Sequence, residues 1–239
     1  MSASVQPFPV NGLLAKNLNL SYPQLSKRLG KRRGWAYSYI VRSVVLNRTS
    51  CSFEQKGSAP NFQGDILTLC TCKHQMRASM DCSEWVGRWI IGLTSRCRYQ
   101  GRHWLFYLTQ VAAAHESHAE LWDRLPAAVR IAKTTHDHFL GDVFVPRGKV
   151  TGEGRFDPRR YLAPPRHSHR RHKCDNGWHN DINYKHSDRY GRPALLVGDP
   201  ELTFLWDEPI IFWDEAHCRN FKKWDNLADL LPHLSMERP

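Results

Sequence analysis

Long apolar runs, rich in β-branched and aromatic residues, dominate the first half of the chain. Such runs are typical of strands, and they predict strands over residues 37–46, 66–72, 83–93 and 103–112. Gly87 lies early in the third run, which indicates a bulge or a tight bend. The fourth run is almost uninterrupted, so we expect its strand to be central in a sheet and covered on both faces.

Helical periodicity is limited to short segments between the strands. Residues 117–122 and 127–133 are predicted to form short helices, and Ser117 with Glu120 has the spacing of an N-terminal capping box. The other predicted elements are a turn and short strand over 139–146, strands over 194–197 and 202–206, an edge strand over 209–213 and a helix over 222–231. Strands with short inserted helices predict an α+β domain built around a bent or barrel-like mixed sheet.

Composition divides the chain into three segments. Residues 1–34 are punctuated by proline and glycine and end in a dense basic run, which predicts a basic N-terminal arm. Residues 35–215 form the predicted body, and residues 216–239 a C-terminal helical tail. Within the body, residues 147–192 hold many Arg, Lys, His, Gly and Pro and few aliphatic residues, so we expect a long basic, histidine-rich loop region.

The 239-residue chain is strongly basic, with a net charge of +11 and a pI of about 9.5. Such a charge favours association with polyanions such as nucleic acid, although a basic protein without a polyanionic partner is the alternative. The seven cysteines lack the spacing of a secreted disulfide framework, and the N-terminus lacks a signal-peptide layout. The longest apolar runs are far too short to span a bilayer, so the sequence predicts a cytoplasmic protein that does not enter a membrane.

Six motifs follow one another through the body of the chain. They are Tyr37-Ser38-Tyr39-Ile40-Val41-Arg42, then Ala59-Pro60-Asn61-Phe62, then Thr68-Leu69-Cys70-Thr71-Cys72-Lys73 with Arg77, then Trp85-Val86-Gly87-Arg88-Trp89-Ile90-Ile91-Gly92, then Leu105-Phe106-Tyr107-Leu108-Thr109-Gln110-Val111 with Leu121-Trp122, and finally Leu140-Gly141-Asp142-Val143-Phe144. In this order they resemble the nucleotide modification associated domain family, second type, over about residues 35–215. Arg88 and Val143 stand where that family has Asp and Asn.

The resemblance implies a link to systems that modify bases in phage or bacterial DNA, or that handle modified nucleotides. It does not imply a settled reaction. A second resemblance, confined to architecture, is to the barrel of the PUA-like domains, which include readers of modified bases. It comes from a polar turn followed by Trp89-Ile90-Ile91-Gly92 and an apolar strand.

Basic residues after the second predicted strand are candidates for binding an anion. Lys73 and Arg77 come just after this strand, and the fork of Arg77 suits a phosphate or a carboxylate; the alternative is a surface pair. The same hypothetical nucleotide pocket takes in Arg42 and Asp142, and the family motif favours a site role for Asp142. Asn61 either contacts a base edge or ribose hydroxyl, or bonds its own turn.

The histidine-rich region supplies candidates for proton transfer. His179, Asp181 and His186 lie beyond its most basic run and, with Asp142, are the predicted acid–base residues. Three histidines in the basic run are interpreted individually as surface residues: His167, His169 and His172. The interleaved cations of this run and the poor spacing of Cys-x-Cys at 70–72 both disfavour zinc, so no metal site is predicted.

No motif fixes a reaction or a cofactor. The chain lacks a P-loop, a dinucleotide-binding glycine pattern, a zincin motif, a nucleophile elbow and a zinc-deaminase signature. The leading hypothesis is a protein of a DNA base-modification system that binds nucleic acid, DNA in preference, or a nucleotide, and acts as a transferase or hydrolase on a modified base or nucleotide. The alternatives are a non-catalytic reader, in which Trp35, Tyr39 or Trp178 stacks on a base, and a basic interaction protein that docks an acidic partner. The cofactor, the base and the oligomeric state stay open.

Overall fold

The computed structural model describes residues 8–9, 11–47, 49–95, 101–135, 141–164, 167, 177–185, 191–217 and 220–236. The fold is mixed α+β, with a curled half-barrel sheet of six strands and several short helices, which confirms the predicted class. The chain divides into two compact units. Unit 1 comprises residues 1–56, 87–111 and 198–239, and unit 2 comprises residues 57–86 and 112–197.

The elements are short and alternate along the chain. The strands are β1 (Ala36–Val41), β2 (Val44–Asn47), β3 (Ser52–Gln55), β4 (Thr68–Leu69), β5 (Trp89–Thr94), β6 (His103–His115), β7 (Val145–Pro146), β8 (Tyr161–Leu162), β9 (Leu195–Leu205), β10 (Ile211–Trp213), β11 (Phe221–Trp224) and β12 (Leu234–Met236). The α-helices are α1 (Gly12–Lys16), α2 (Tyr22–Leu29), α3 (His74–Arg77), α4 (Cys82–Trp85), α5 (His118–Arg124), α6 (Ala127–Thr134), α7 (His179–Asn183) and α8 (Leu227–Leu230). Single 3-10 turns cover Gln63–Asp65, Gly152–Phe156, Pro158–Arg160 and Leu231–His233.

Unit 1 is built on the curled sheet. Its strands lie in the order β11-β1-β5-β6-β10-β12, with β1 and β5 parallel and the other neighbours in this order antiparallel. Strand β6 also pairs with β9, and most of its residues are buried, as predicted for a central strand. Strand β10 pairs with both β6 and β12, so the predicted edge position of residues 209–213 is wrong.

The described part of the segment predicted to be a basic N-terminal arm, residues 8–9 and 11–34, is largely folded. It contains α1 and α2, and Leu14, Leu25 and Leu29 are buried. Leu25 and Leu29 are four residues apart and therefore share one face of α2. Two of the residues that suggested an arm lie at the ends of a helix: Pro23 is in the first turn of α2, and Gly30 is its C-cap.

Unit 2 packs short helices and paired strands around two apolar clusters. Cys70, Leu121, Leu125, Val143, Leu195 and Val197 form the first cluster, and Ala119, Phe144, Tyr161 and Ile182 form the second. Helix α5 supplies Leu121 to one cluster and Ala119 to the other, so His118 is carried into the interior between them. The hydroxyl of Ser117 accepts a hydrogen bond from the Glu120 amide, as predicted for the N-cap of this helix.

Three predicted elements are divided in the structure. The run 37–46 turns at Arg42 and Ser43, where the Ser43 carbonyl accepts a hydrogen bond from the Lys56 amide, and it continues as β2. The run 83–93 begins as α4 and becomes β5 only after Gly87, whose φ of 82° separates helix from strand. The predicted helix over 222–231 is β11 followed by α8, because Asn226 caps a new helix by accepting a bond from the Ala228 amide.

Candidate active site

Asp181 of unit 2 lies between two histidines. Its Oδ2 is 3.0 Å from Nε2 of His167, and its Oδ1 is 3.2 Å from Nε2 of His74. The side chains of Asp181 and His167 are 0% and 1% exposed. His74 begins helix α3 and stacks on the ring of Tyr184, with the centroids 4.6 Å apart. The structure thus brings one carboxylate and two imidazoles together from three separate parts of unit 2.

The hydrogen bonds of His167 fix how its protons are arranged. Its Nδ1 is 2.9 Å from the Gly141 carbonyl oxygen, which can only accept, so Nδ1 carries a proton. Its Nε2 faces the carboxylate of Asp181, which needs a second proton between the two groups. His167 and Asp181 therefore share one proton in a buried site, and such a pair can release or take up that proton during a reaction.

His118 presents a buried donor beside this pair. The Phe144 amide donates to Nδ1 of His118 at 3.3 Å, so the neutral ring carries its proton on Nε2. Burial lowers the pKa of His118 to about 3, which keeps the ring neutral, while the nearby Asp181 acts in the opposite direction. Among the described residues, no hydrogen-bond partner for Nε2 is found. A buried donor without a partner costs about 1–3 kcal/mol, so Nε2 is available to a water molecule or a ligand oxygen in the adjacent cavity.

His118 and Asp181 line a small cavity that adjoins a larger cleft. The cavity has a volume of about 10 Å³, which is room for roughly one water molecule. Its lining shares four residues with a cleft of about 710 Å³, a size typical of ligand sites. The shared residues are Glu116, Arg155, Phe156 and Arg192. We call the cavity and the cleft together the His118 cleft, with His118 and Asp181 as its floor, His167 hydrogen-bonded to Asp181 behind that floor, and the four shared residues as its mouth.

The mouth of the His118 cleft carries two arginines on one aromatic ring. The guanidinium carbons of Arg192 and Arg155 lie 3.7 Å and 5.5 Å from the centroid of the Phe156 ring. Arg155 pairs with Glu116 at 3.3 Å, and Arg192 pairs with Glu153 at 3.6 Å. Both glutamates are well exposed, and exposed ion pairs contribute little stability. An anionic ligand can therefore replace the carboxylates and take both guanidinium forks.

A second buried hydrogen-bond network is connected to the His167–Asp181 pair through the backbone at Gly141. The Nζ of Lys133 donates to Asn61 Oδ1 and Thr68 Oγ1, each at 2.9 Å, and the Thr68 hydroxyl donates to Asp142 Oδ1 at 2.9 Å. Burial raises the pKa of Asp142 to about 6 and lowers that of Lys133 to about 8. Asp142 follows Gly141, whose carbonyl holds His167, so the network fixes the backbone that orients the proton-sharing pair.

Arg77 does not lie on the surface as expected. It is fully buried, and its guanidinium donates to the carbonyls of Cys70, Cys72 and Ala194 at 2.8, 2.7 and 2.6 Å. The proposed phosphate fork is thus occupied by backbone, which corrects the clamp interpretation. The neighbouring Lys73 is half-buried and holds a left-handed backbone, with φ of 55°, at the start of α3.

The other predicted site residues have different surroundings. Asn61 is buried, and its side-chain oxygen accepts from the Gln63 amide, which confirms the turn interpretation, as well as from Lys133. Tyr39 belongs to unit 1, is fully buried and shares a hydrogen bond of 2.7 Å with the hydroxyl of Tyr107, so it has no face free for a base. Arg42 is exposed in a turn of unit 1.

The remaining predictions fall in the histidine-rich region. Trp178 is half-buried and stacks on Phe144, with the ring centroids 5.3 Å apart. His179 is half-buried and meets the ring of Trp178 edge-on at 4.5 Å. Asp181 is the predicted residue that the structure places in the floor, and His186 lies outside the described residues.

Sequence reasoning missed most of the floor and the mouth. His167 is deeply buried, so its interpretation as a surface residue is wrong; a dense run of arginines concealed it. His118 occupies the first turn of an amphipathic helix, beside apolar positions, and that placement was the available signal. Nothing local marks Lys133, Arg155, Phe156 or Arg192 as site residues, because their partners are far away in sequence.

Membrane spans and metal clusters among the described residues, and known relatives of the chain, were the remaining clues to function, and none is found. Within the described part of the chain, no helix is long and apolar enough to cross a membrane. The same residues include no group of three or more His, Cys, Asp or Glu side chains arranged to hold a metal ion. No family model, curated protein sequence or solved structure matches the chain.

Proposed function

We propose that this protein binds a nucleotide, free or within DNA, in the His118 cleft and carries out proton-transfer chemistry on it as part of a base-modification system. The observation that carries the proposal is the buried Nε2–H of His118, which has no hydrogen-bond partner among the described residues and lies beside the proton shared by His167 and Asp181. Buried titratable groups at the base of a cleft are costly to maintain and cluster at catalytic sites.

Each part of the His118 cleft has a role in this proposal. Arg155 and Arg192 bind the phosphate as bidentate donors. The neutral ring of His118 donates its Nε2 proton in a hydrogen bond to an oxygen on which negative charge develops. The His167–Asp181 pair gives or takes the proton that a transferase or hydrolase step needs at the modified base or nucleotide.

Two observations from the sequence support a nucleotide as the substrate. The net charge of +11 favours polyanionic partners. The motif order of residues 35–215 resembles a family linked to DNA base modification; Asn61 and Asp142 of these motifs belong to the hydrogen-bond network of Lys133 and Thr68.

The test is turnover with substrate in excess, followed by mass spectrometry. Purified protein is incubated with unmodified and modified nucleotides, and with short DNA carrying unmodified or modified bases. We expect a changed product mass with one of these substrates, and we expect His118→Ala to reduce the rate about 10²- to 10⁴-fold because it removes a group that acts in the transition state. Replacing Arg155 and Arg192 by alanine should mainly raise KM.

A buried histidine of unit 1 serves as the matched control. His103 is 7% exposed and its Nδ1 lies 2.8 Å from the Thr94 carbonyl, so His103→Gln perturbs a buried ring without touching the cleft. This variant should keep the wild-type rate. Cleft-dependent binding without turnover would make the protein a reader, and a rate insensitive to His118→Ala would exclude the cleft as the active site.

A further inference from the structure

Trp35 of unit 1 is a large aromatic side chain that remains 39% exposed. It lies just before β1, which has β5 on one side and β11 on the other: Ala36 pairs with Trp89 and with Trp224. A cation from each neighbouring strand region reaches the indole. The Nζ of Lys223 is 3.5 Å from the ring centroid, and the guanidinium carbon of Arg88 is 4.8 Å from it. Trp35 is therefore an exposed ring flanked by positive charge.

The backbone that carries Trp35 is held on both sides. The Trp35 carbonyl accepts from the Trp89 amide at 2.9 Å, and the Gly34 carbonyl accepts from the Leu227 amide at 2.8 Å. The Arg33 carbonyl accepts from Nε1 of Trp89 at 3.3 Å. A ring on such a fixed backbone loses little freedom when it binds a ligand, so it is organised for binding before the ligand arrives.

Further cations are exposed on the segments that lead to Trp35 and Lys223. Lys31 and Arg33 are exposed in the segment that leads to Trp35, and Lys222 is exposed on β11, the strand at the end of the sheet order. The Nζ of Lys222 lies 3.7 Å from the centroid of Trp224. Asp225, exposed after β11, is the nearest carboxylate along that segment. Because successive strand residues point to opposite faces, Lys222 lies on the other face of β11, and the cations at the indole are Lys223 and Arg88.

We propose that this surface, the Trp35 platform, binds single-stranded nucleic acid: one base stacks on Trp35, and the adjacent phosphates contact Lys223, Arg88 and their neighbouring cations. An unpaired base has a free face to place against an indole, whereas the bases within a duplex are covered by their neighbours. Lys223 has a flexible stem and can pass its ammonium group from the ring to a phosphate when the base arrives. The platform lies in unit 1 and does not depend on the reaction proposed for the His118 cleft.

Fluorescence anisotropy with a labelled oligothymidylate of about twelve nucleotides tests the platform. We expect binding that weakens with salt, with a slope of about −0.7 for each phosphate neutralised. Trp35→Ala should weaken binding about 5- to 150-fold, the loss of one base stack. Trp35→Phe should retain most of the affinity, because phenylalanine also stacks. Oligouridylate should bind with a similar affinity, since RNA and DNA single strands both offer stacking bases and phosphates. A duplex of the same length should bind less tightly.

Arg102→Ala is the matched control for removing a cation that lies on an aromatic ring. Its guanidinium carbon lies 3.9 Å from the centroid of Phe212, which is only 7% exposed and offers no face to a base. This variant should bind the oligonucleotide like the wild type. The platform is excluded if Trp35→Ala binds as tightly as the wild type, if a duplex is preferred, or if binding does not respond to salt. Should Trp35→Ala not fold, unchanged affinity and salt slope in a Lys223→Ala variant would exclude it equally.

Discussion

Three backbone carbonyls of unit 2 receive their hydrogen bonds from the guanidinium of Arg77. We expect Arg77→Met to lower the free energy of unfolding by about 3–5 kcal/mol, because it removes a buried charged group and leaves carbonyls without donors. Arg77→Lys should be intermediate, since a lysine cannot reproduce the fork. Denaturant unfolding of both variants checks this.

The exposed Arg124 of helix α5 provides the control for that measurement. Arg124→Met should change the unfolding free energy by no more than about 0.5 kcal/mol. If Arg77→Met were equally harmless, the side chain would not be needed for the fold, and a role in binding a ligand would return.

The buried Asp142 and Lys133 make stability depend on pH in two windows. The pKa of Asp142 is raised from 3.8 to about 6, so the folded chain holds this proton more tightly and the free energy of unfolding falls as the pH rises from about 4 to about 6. The pKa of Lys133 is lowered from 10.5 to about 8, so the stability increases again as the pH rises above about 8. Each change amounts to about 3 kcal/mol.

Unfolding curves from pH 4 to 10 for the wild type and for Lys133→Met/Asp142→Asn measure this contribution. The difference between the two curves should have a minimum between about pH 6 and pH 8, where both wild-type groups are charged. Parallel curves would mean that neither group has the altered proton affinity that its burial implies.

At the scale of single residues, the sequence predicted the chemical role of a side chain better than it predicted whether that side chain is buried. Asn61 bonds its own turn as its residue type predicts. Asp181 was identified because an acid among histidines suggests proton transfer. Arg77 and His167 were misplaced because their burial depends on partners more than ten residues away, such as Ala194 and Asp181, and no local pattern reports such partners.

At the scale of elements, Gly92 allows strands β5 and β6 to approach closely. A Cβ on Gly92 would overlap the ring of Tyr107, and the strand register shifts just after this glycine. We expect Gly92→Ala to lower the melting temperature by about 2–12 °C, because overpacking costs about 1–3 kcal/mol. Gly154→Ala is the control: the nearest atom to its new Cβ is 3.9 Å away, and its melting temperature should be close to that of the wild type. Equal melting temperatures for the two variants would show that Tyr107 moves without cost.

Of the four long apolar runs, the run over 103–112 forms a single strand over its whole predicted length, whereas short elements inside the other runs were missed. Strand β6 matches its prediction over 103–112 and continues to His115. Helix α4 contains four residues, hardly more than one turn, so it has no periodicity to detect inside an apolar run. Strand β9 was predicted as two strands, 194–197 and 202–206, with Pro200 between them. In the structure the strand is continuous past Pro200, where the Glu201 amide donates a hydrogen bond to the Asp199 side chain.

At the scale of the whole molecule, the fold class and the charge could be predicted, but the division into units could not. A mixed α+β fold follows from the balance of strand and helix patterns. The units depend on pairings between distant segments, such as β1 at residues 36–41 with β11 at residues 221–224. Periodicity describes each strand separately and carries no information about its partner.

The chain passes between the units after residues 56, 86, 111 and 197, and this order has a consequence for synthesis on the ribosome. The last segment of unit 2 is complete once residue 197 has emerged, whereas unit 1 still lacks β10, β11 and β12. The unit that is started first is therefore finished last. A nascent chain of that length already contains every residue of the His118 cleft, while the sheet that carries Trp35 still waits for the strand that brings Lys223.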